Sequence, residues 1–402
     1  MSSLTSFGAY KARLASALGL PLPDIARIGI NDLIEQARNA PRPLPSLSTG
    51  GVELYDSPQH YGAPHYGGFR SGINPPLSRA EFVSHFLFSP DGFPELLSAF
   101  DYLRTPGRPS DQDFAYKHDA NGVPIRWVSQ ETALLVFLKR MRIVDGDAVM
   151  LQPFFGRTIE WISDVFDAVS LFISTRWVPT KIQALDCRIF NCFRLKDYEE
   201  CLWRAGLRIS CCAGFVDNLS HSTRRPGTES NLNAKLQSVF FNSADKVPNY
   251  ELVTFSDGII GRAYRPVVGR HYEVYRARKR RLVEFVRGAL RGSRLLGDKS
   301  YLGFGLRIRH PHAASLPDSS EAQFNTHISS CSTEVENDIA SIFEQFVFLQ
   351  CDMNREMQHP EAWFEKFEMA IFMHNVHTCV TRSSETALRF GMPLLPLRRY
   401  LS

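Results

Sequence analysis

The run Cys211–Gly227, CCAGFVDNLSHSTRRPG, holds the first residue whose type and setting invite chemistry. A short apolar stretch ends on one carboxylate, Asp217, and breaks into a polar loop with Arg224, Arg225 and Pro226-Gly227. An aspartate closing a buried strand packs poorly but is well placed to hold a cation at a sheet edge. Taken alone, it reads more simply as a residue that opens a turn. The cation reading therefore depends on what the downstream chain brings to the same place.

Strands come first among the elements that must position it. Ala213–Val216 reads as a short strand. Tyr250–Phe255 and Ile259–Val268 flank Ser256-Asp257-Gly258, a hairpin signal. Leu295-Leu296-Gly297-Asp298 is another short strand ending on a carboxylate. A long basic helical stretch lies between the hairpin and that strand. Residues 303–325 read as an irregular insertion. Ser330–Leu349 is a predicted helix with Val335, Ile339, Ile342, Phe343 and Phe346 on one side and Glu336 at the margin of that face. A last helix spans Trp363–Val376. Strand, hairpin, helix, strand and helix predict a mixed α/β sheet with helices packed on it. The four strands belong in one sheet, crossed by the Glu336 helix through Val335, Ile339, Ile342 and Phe343.

Upstream the chain is helical. Short helices are expected around Tyr10–Leu18 and Ile30–Arg38, and residues 41–80, rich in Pro, Gly, Ser and Tyr, read as linker or draped loop. Helical patterning returns from Ser78 to Leu103, followed by a Pro/Gly/Asp loop to about Gly122. Residues 129–177 form a predicted helical unit of Thr132–Met141, Asp145–Phe154 and Gly156–Trp177. In the third helix Ile162, Val165, Phe166, Val169, Phe172 and Ile173 keep helical period. The arrangement fits a helix-turn-helix, although three-helix packing units without function are common. The resulting division is a variable region and linker at 1–77, a helical region at 78–205 and an α/β domain at 206–402.

The 402 residues are 44% hydrophobic and 22% charged, an ordinary globular balance that excludes low-complexity and fibrous classes. No apolar run is long enough for a bilayer-spanning helix, and the first twenty residues lack the apolar block and cleavage site of a signal peptide. An intracellular protein with no membrane partner is the expectation. The eight cysteines show neither CxxC pairs nor zinc spacing, so free core thiols are expected. His221, His271 and His377 are isolated and read as structural.

From Leu134 onward the chain resembles the PIF/Harbinger-type, transposase-derived DDE superfamily endonucleases. LLVFLKRMRIVDGDAVMLQPFFGRT resembles that family's helical block ending in Phe-Gly-Arg-Ser. GFVDNLSHSTRRPG resembles its Gly-Phe-Ile-Asp-Gly-Thr motif with the following Arg-Pro-Gly. The stretch SVFFNSADKVPNYELVTFSDGIIGRAYRPVVGRHYEVY is similar to its hairpin and Arg-His-Asp-Ser segment. LLGDKSY is similar to its Gly-Asp-Pro-Ala-Tyr strand, FNTHISSCSTEVENDIASIFEQFVFLQ to the helix with its last catalytic Glu, and AIFMHNVHTCV with LLPLRRYL to its C-terminal helix and tail. These blocks run in order over about two thirds of the chain, and residues 1–77 have no counterpart.

The resemblance implies a ribonuclease-H-like fold and a catalytic, metal-holding trio. Asp217 takes the first carboxylate position, Glu273 the middle one and Glu336 the last. Glu273 follows Asp217 by 56 residues, and Glu336 follows Glu273 by 63. Asp298 is a fourth acidic candidate, a structural strand-end aspartate in the resemblance. Three positions depart from the family pattern: Glu273 stands where it has Asp, Asn218 where it has Gly, and Ser332 where it has Arg. The extra methylene of Glu273 moves its oxygens by about 1.5 Å, a displacement that catalytic geometry tolerates poorly.

In-line displacement at phosphorus uses two divalent cations, and Mg²⁺ or Mn²⁺ suits hard carboxylate oxygens. Residues 262–294 set eleven lysines and arginines against two glutamates. Beside such a site they would neutralise phosphates, and Arg270, Arg276, Arg278, Lys279, Arg280 and Arg281 are the candidate DNA contacts. A solvated helix face is the bland reading of the same run. The resemblance further implies DNA as substrate, a separate Myb-like DNA-binding partner protein, and a nuclear location, or a cytoplasmic one without that partner. The three departures favour an alternative, a domesticated or degenerate transposase that binds DNA or a partner protein without cutting. A helical scaffold with an incidental α/β domain is the unrelated alternative.

Overall fold

Stop and start signals written into the chain shape its first described half. The computed structural model describes residues 55–56, 64–65, 68–69, 77–100, 113–118, 124–207, 209–220, 249–265, 271–297, 301, 308–309, 319–350 and 360–402. Two compact units divide the chain, Met1–Glu53 and Leu54–Ser402, and every described residue lies in the second. The expected helices around Tyr10 and Ile30 lie outside the described residues.

Helix α1 (Arg79–Phe86) starts at a capping box, in which the Glu81 amide donates to the Ser78 hydroxyl and the Ser78 amide to the Glu81 carboxylate. Helix α2 (Phe93–Phe100) buries Phe93, Leu96 and Phe100. The predicted loop to about Gly122 instead contains β1 (Asp113–His118), paired antiparallel with β2 (Pro124–Ser129). Phe114 and Tyr116 explain the difference, since they pack edge-on against Phe172 and Trp161. Tertiary packing there overrides a turn-rich composition. Tyr55–Asp56, within the segment read as linker, adds a short parallel strand to β2.

Helix α3 (Gln130–Met141) is capped by Ser129 and buries every residue from Ala133 to Leu138. A 3₁₀ turn at Asp145–Met150 leads into α4 (Leu151–Phe155). Gly156, at φ 63°, ends α4, and the Thr158 hydroxyl accepts from the Trp161 amide to start α5 (Ile159–Arg176). Gly-Arg-Thr is thus a helix stop joined to a helix start, and the predicted three-helix order is observed. Helix α6 (Cys192–Arg204), unassigned from sequence, is capped by Asn191, which accepts from the amides of Phe193 and Arg194.

The second half contains a five-stranded sheet made of β3 (Cys212–Ser220), β4 (Asn249–Phe255), β5 (Ile260–Tyr264), β6 (Arg294–Gly297) and β7 (Ile308–Arg309). Spatial order is β7-β6-β3-β4-β5. β3, β4 and β5 form an antiparallel meander, whereas β6 runs parallel to β3, and β7 parallel to β6. The four predicted strands therefore share one sheet, and the mixed α/β class stands.

Successive strand residues face opposite sides. Phe215 stacks on Phe390 with ring centroids 5.7 Å apart, and Tyr250 meets Trp363, Phe364 and Phe367. Those partners lie on α9 (Pro360–Thr381) and α10 (Glu385–Phe390). The opposite face is covered by α7 (His271–Gly288), through Arg278 and Arg281 on Glu251 and Phe285 on Tyr264. Helix α8 (Ser320–Gln345) joins α9 and α10: Phe343 stacks on Phe367 at 5.7 Å, and Asp338 accepts from Ser384 at 3.0 Å. It buries Ile339 and Ile342 as expected but starts at Ser320 rather than Ser330. The Ser319 hydroxyl caps this extension by accepting from the Ala322 amide, although its first ten residues carry little apolar period.

The β5 edge is closed by side chain and loop. Asn375 accepts from the Ile260 amide at 2.9 Å and donates to the Ile260 carbonyl at 2.8 Å, while the Ala263 amide donates to the Ile182 carbonyl. An edge strand left open would present these groups for pairing with another chain.

Candidate functional site around Asp217

Asp217 is half-buried on the central strand, opposite Leu252 of β4. Alternation from Phe215 puts it on the sheet face covered by α8, α9 and α10. Glu336 is exposed on α8, so the elements carrying the first and last predicted carboxylates lie on one side of the sheet. Glu273 belongs to the first turn of α7, the helix on the other side; its side chain lies outside the described residues.

Next to Asp217 the backbone is tightly packed. Val216 pairs with Gly297 of β6. A Cβ added at Gly297 would come within 2.7 Å of the Tyr301 ring and 3.2 Å of Val216 Cγ1, so only glycine fits. Tyr301 is fully buried; burial raises its phenol pKa, and the charges of Glu251 and Asp217 push it further up against the pull of Arg278.

Glu251, also fully buried, is held by Arg278 Nε at 2.7 Å and Arg281 Nη2 at 2.8 Å. Two of the six residues predicted to meet DNA thus tie α7 to the sheet. Arg281 also donates to the Arg265 carbonyl, and Arg265 pairs with buried Glu368 on α9. Of the other four, Arg280 is exposed and pairs with Glu284 one turn on, and Lys279 is half-buried. Arg270 and the side chain of Arg276 lie outside the described residues.

Glu251, Asp257, Asp338 and Glu368 are buried carboxylates that sequence reasoning did not assign. Asp257, at the hairpin turn, accepts from Arg194 and from the Tyr198 hydroxyl at 2.8 Å each and from the Ile259 amide at 3.1 Å. Arg194 also donates to the Pro393 carbonyl. Asp338 anchors Ser384, the cap of α10; burial raises its pKa despite the hydrogen bonds from Thr386 and Ser384. These groups hold elements together. A charge within an apolar strand, as in Asn249–Phe255, is the signal that could have exposed Glu251.

Among the described residues no three His, Cys, Asp or Glu side chains gather as a metal-holding group, and no helix is long and apolar enough to cross a membrane. Cys201, Cys212 and Cys379 are free thiols in the core, as expected, whereas the free thiols of Cys187, Cys192 and Cys211 are exposed. Comparison with protein-family models, with curated proteins and with solved structures gives no match.

Proposed function

We propose that this chain is a divalent-metal-dependent DNA endonuclease of the transposase-derived, ribonuclease-H-like type. One observation carries the reading. Asp217 sits on the first strand of an antiparallel meander, that strand is central, and the two later strands add parallel to it. A ribonuclease-H-like sheet needs this order, and α8, the helix that carries Glu336, packs on the sheet face to which Asp217 belongs. Carboxylates are hard oxygen donors that fit Mg²⁺ or Mn²⁺. Such ions, when bound, supply charge to the attacking and leaving oxygens of a phosphodiester. The protein's part is to fix Asp217 on a rigid strand and to bring Glu336 across from α8.

The strand register favours a second assignment for the middle carboxylate. Gly297 pairs with Val216, and the residues that follow these two in the sequence are Asp298 and Asp217. Asp298 itself lies outside the described residues; its neighbour's pairing recommends it over Glu273, which starts a helix on the opposite face. With Asp298 in that role, Glu273 would no longer count against turnover, and the non-cutting alternative would rest on Asn218 and Ser332 alone.

Thermal unfolding with Mn²⁺ tests both points, since a ligand that binds only the native state stabilises it. Mn²⁺ should raise the melting temperature of the wild type, and Asp217→Ala should remove the gain. Asp298→Asn should remove it too while Glu273→Gln keeps it; the reverse pattern restores the trio of Asp217, Glu273 and Glu336. Absence of any shift in the wild type would leave Asp217 a strand residue only. A wild type that binds Mn²⁺ but fails to nick plasmid DNA is the outcome expected of the non-cutting alternative.

A further inference from the structure

A lysine in the last turn of a helix usually reaches into solvent, where its charge suits the helix dipole. Lys139, in the last turn of α3, instead turns back onto α1. Its Nζ lies 2.6 Å from Nδ1 of His85, in the last turn of α1. Phe154 of α4 packs against both: its ring centroid is 5.1 Å from Nζ and 5.0 Å from the imidazole, which it meets edge-on. Phe82 and Phe86 of α1 are buried, whereas Lys139 and His85 each keep part of their surface open to solvent.

The charge beside this amine is positive. Among the described residues no carboxylate pairs with Lys139. Arg142 is fixed near it by the carbonyls of Ser84, Glu344 and Gln345. Burial, reinforced by Arg142, lowers the Lys139 amine to about 8. Burial also lowers His85, helped by Lys139 and Arg142 and opposed by Glu81. With Nζ donating, Nδ1 has to be the unprotonated, accepting nitrogen of a neutral imidazole.

From this geometry we infer that Lys139 is a nucleophilic amine with His85 as its base, a modification site for small acyl thioesters. An amine is activated by desolvation, by a neighbouring cation or by a base within hydrogen-bond reach, and Lys139 has all three. The Nζ lone pair attacks the thioester carbonyl carbon, the amide bond forms and the carbon–sulfur bond breaks. The thiolate leaves with the bonding pair, and the proton shed by Nζ passes to His85 Nδ1 and on to the thiolate or solvent. A thioester suits a site whose partner is a base, since a thiolate, with a pKa of about 8.5, leaves without an acid's help. The product is a neutral amide where a cation stood on Phe154. The site uses none of the candidate metal carboxylates and none of the candidate DNA contacts.

The test treats the full chain, without metal or DNA, with the small thioester N,S-diacetylcysteamine and follows acetylation of each lysine by peptide mass mapping. At pH 7.5 an amine of pKa about 8 is free roughly two hundred times as often as an ordinary lysine. Its lower basicity takes back part of that advantage, leaving a gain in rate of about tenfold. Lys139 should therefore be acetylated about tenfold faster than exposed Lys196 in the same digest, with a rate that rises with pH and levels above about pH 8. His85→Phe, which keeps a ring against Phe154, should slow Lys139 severalfold and leave Lys196 unchanged. The inference is overturned if Lys139 reacts no faster than Lys196, if its rate keeps climbing past pH 9, or if His85→Phe reacts like the wild type. The pH profile needs no variant, so it decides the matter even if His85→Phe proves unstable. Because metal and DNA are absent throughout, failure here leaves the Mn²⁺ experiment untouched.

Discussion

Single residues divide into those that hold the fold and those left for chemistry, and Arg194 shows how strict the first group is. Its removal would leave Asp257, fully buried at the hairpin turn, with only Tyr198 and the Ile259 amide as partners. Arg194→Met should therefore cost about 3–5 kcal/mol in urea unfolding, without changing binding of Mn²⁺ to the protein that remains folded. A second residue-scale expectation concerns pH. Burial drives His374 and His377 down to about 4, and each is neutral in the native state. The unfolded chain binds these protons more readily, so the stability they contribute is complete above pH 6.5 and is lost as pH falls toward 4. Glu131 acts in the opposite sense: burial raises it to about 7, so it favours the fold at low pH and loses that effect as pH rises from 4.5 to 7. In a Glu131→Gln background the urea midpoint should drop between pH 7.5 and pH 5 by an amount equivalent to roughly 1–2 kcal/mol per histidine. A flat profile would show that the histidines are hydrated in the native state.

Elements are where the sequence was most legible, and the exceptions have physical causes. The meander could be read because Ser256-Asp257-Gly258 punctuates two apolar runs. The three-helix order could be read from its apolar period, although Gly156 to Thr158, expected inside the third helix, prove to be the stop and start between α4 and α5. The β1–β2 hairpin was hidden because Phe114 and Tyr116 act through partners some fifty residues away. Helix α6 was hidden because Arg194 occupies its buried face, where an apolar residue would have completed the period. Helix α7 was legible as basic, but its division of labour was not, since Glu251 lies on another element. Arg278→Ala should thus lower stability, whereas Lys279→Ala with Arg280→Ala should flatten the slope of log DNA affinity against log salt by about 2 units with little change in melting temperature. An unchanged slope would make that face merely solvated. At the sheet edge, Asn375→Leu should leave the Ile260 amide and carbonyl unpaired. A loss of about 1–3 kcal/mol per unpaired group follows, and hydrogen exchange should quicken first at Ile260.

Over the whole molecule, the helical region and the sheet are joined by a shared core rather than by a tether. Trp177, just after α5, stacks on Phe372 of α9 at 5.4 Å. Ile182 extends the hydrogen bonding of β5, and Arg142, just after α3, donates to the carbonyls of Glu344 and Gln345. A chain starting at residue 206 should accordingly fail to show a cooperative unfolding transition, whereas residues 54–402 should melt in one; a cooperative melt of the shorter chain would show that the sheet half folds alone. The sequence told helical from sheet-forming territory because periodicity is local. It could not tell that they are interdependent, because the contacts joining them recur at no fixed spacing. Arg142 carries a last consequence. Its guanidinium closes the C-terminal end of the helix that bears Glu336, so a lesion far upstream reaches that helix without touching any candidate site residue. In a genetic screen, damage at Arg142 or Trp177 should then register as missing protein, and damage at Asp217 as protein present in normal amount but idle. If the proposed cutting of DNA were lost, the helical half would still be needed for the chain to remain folded.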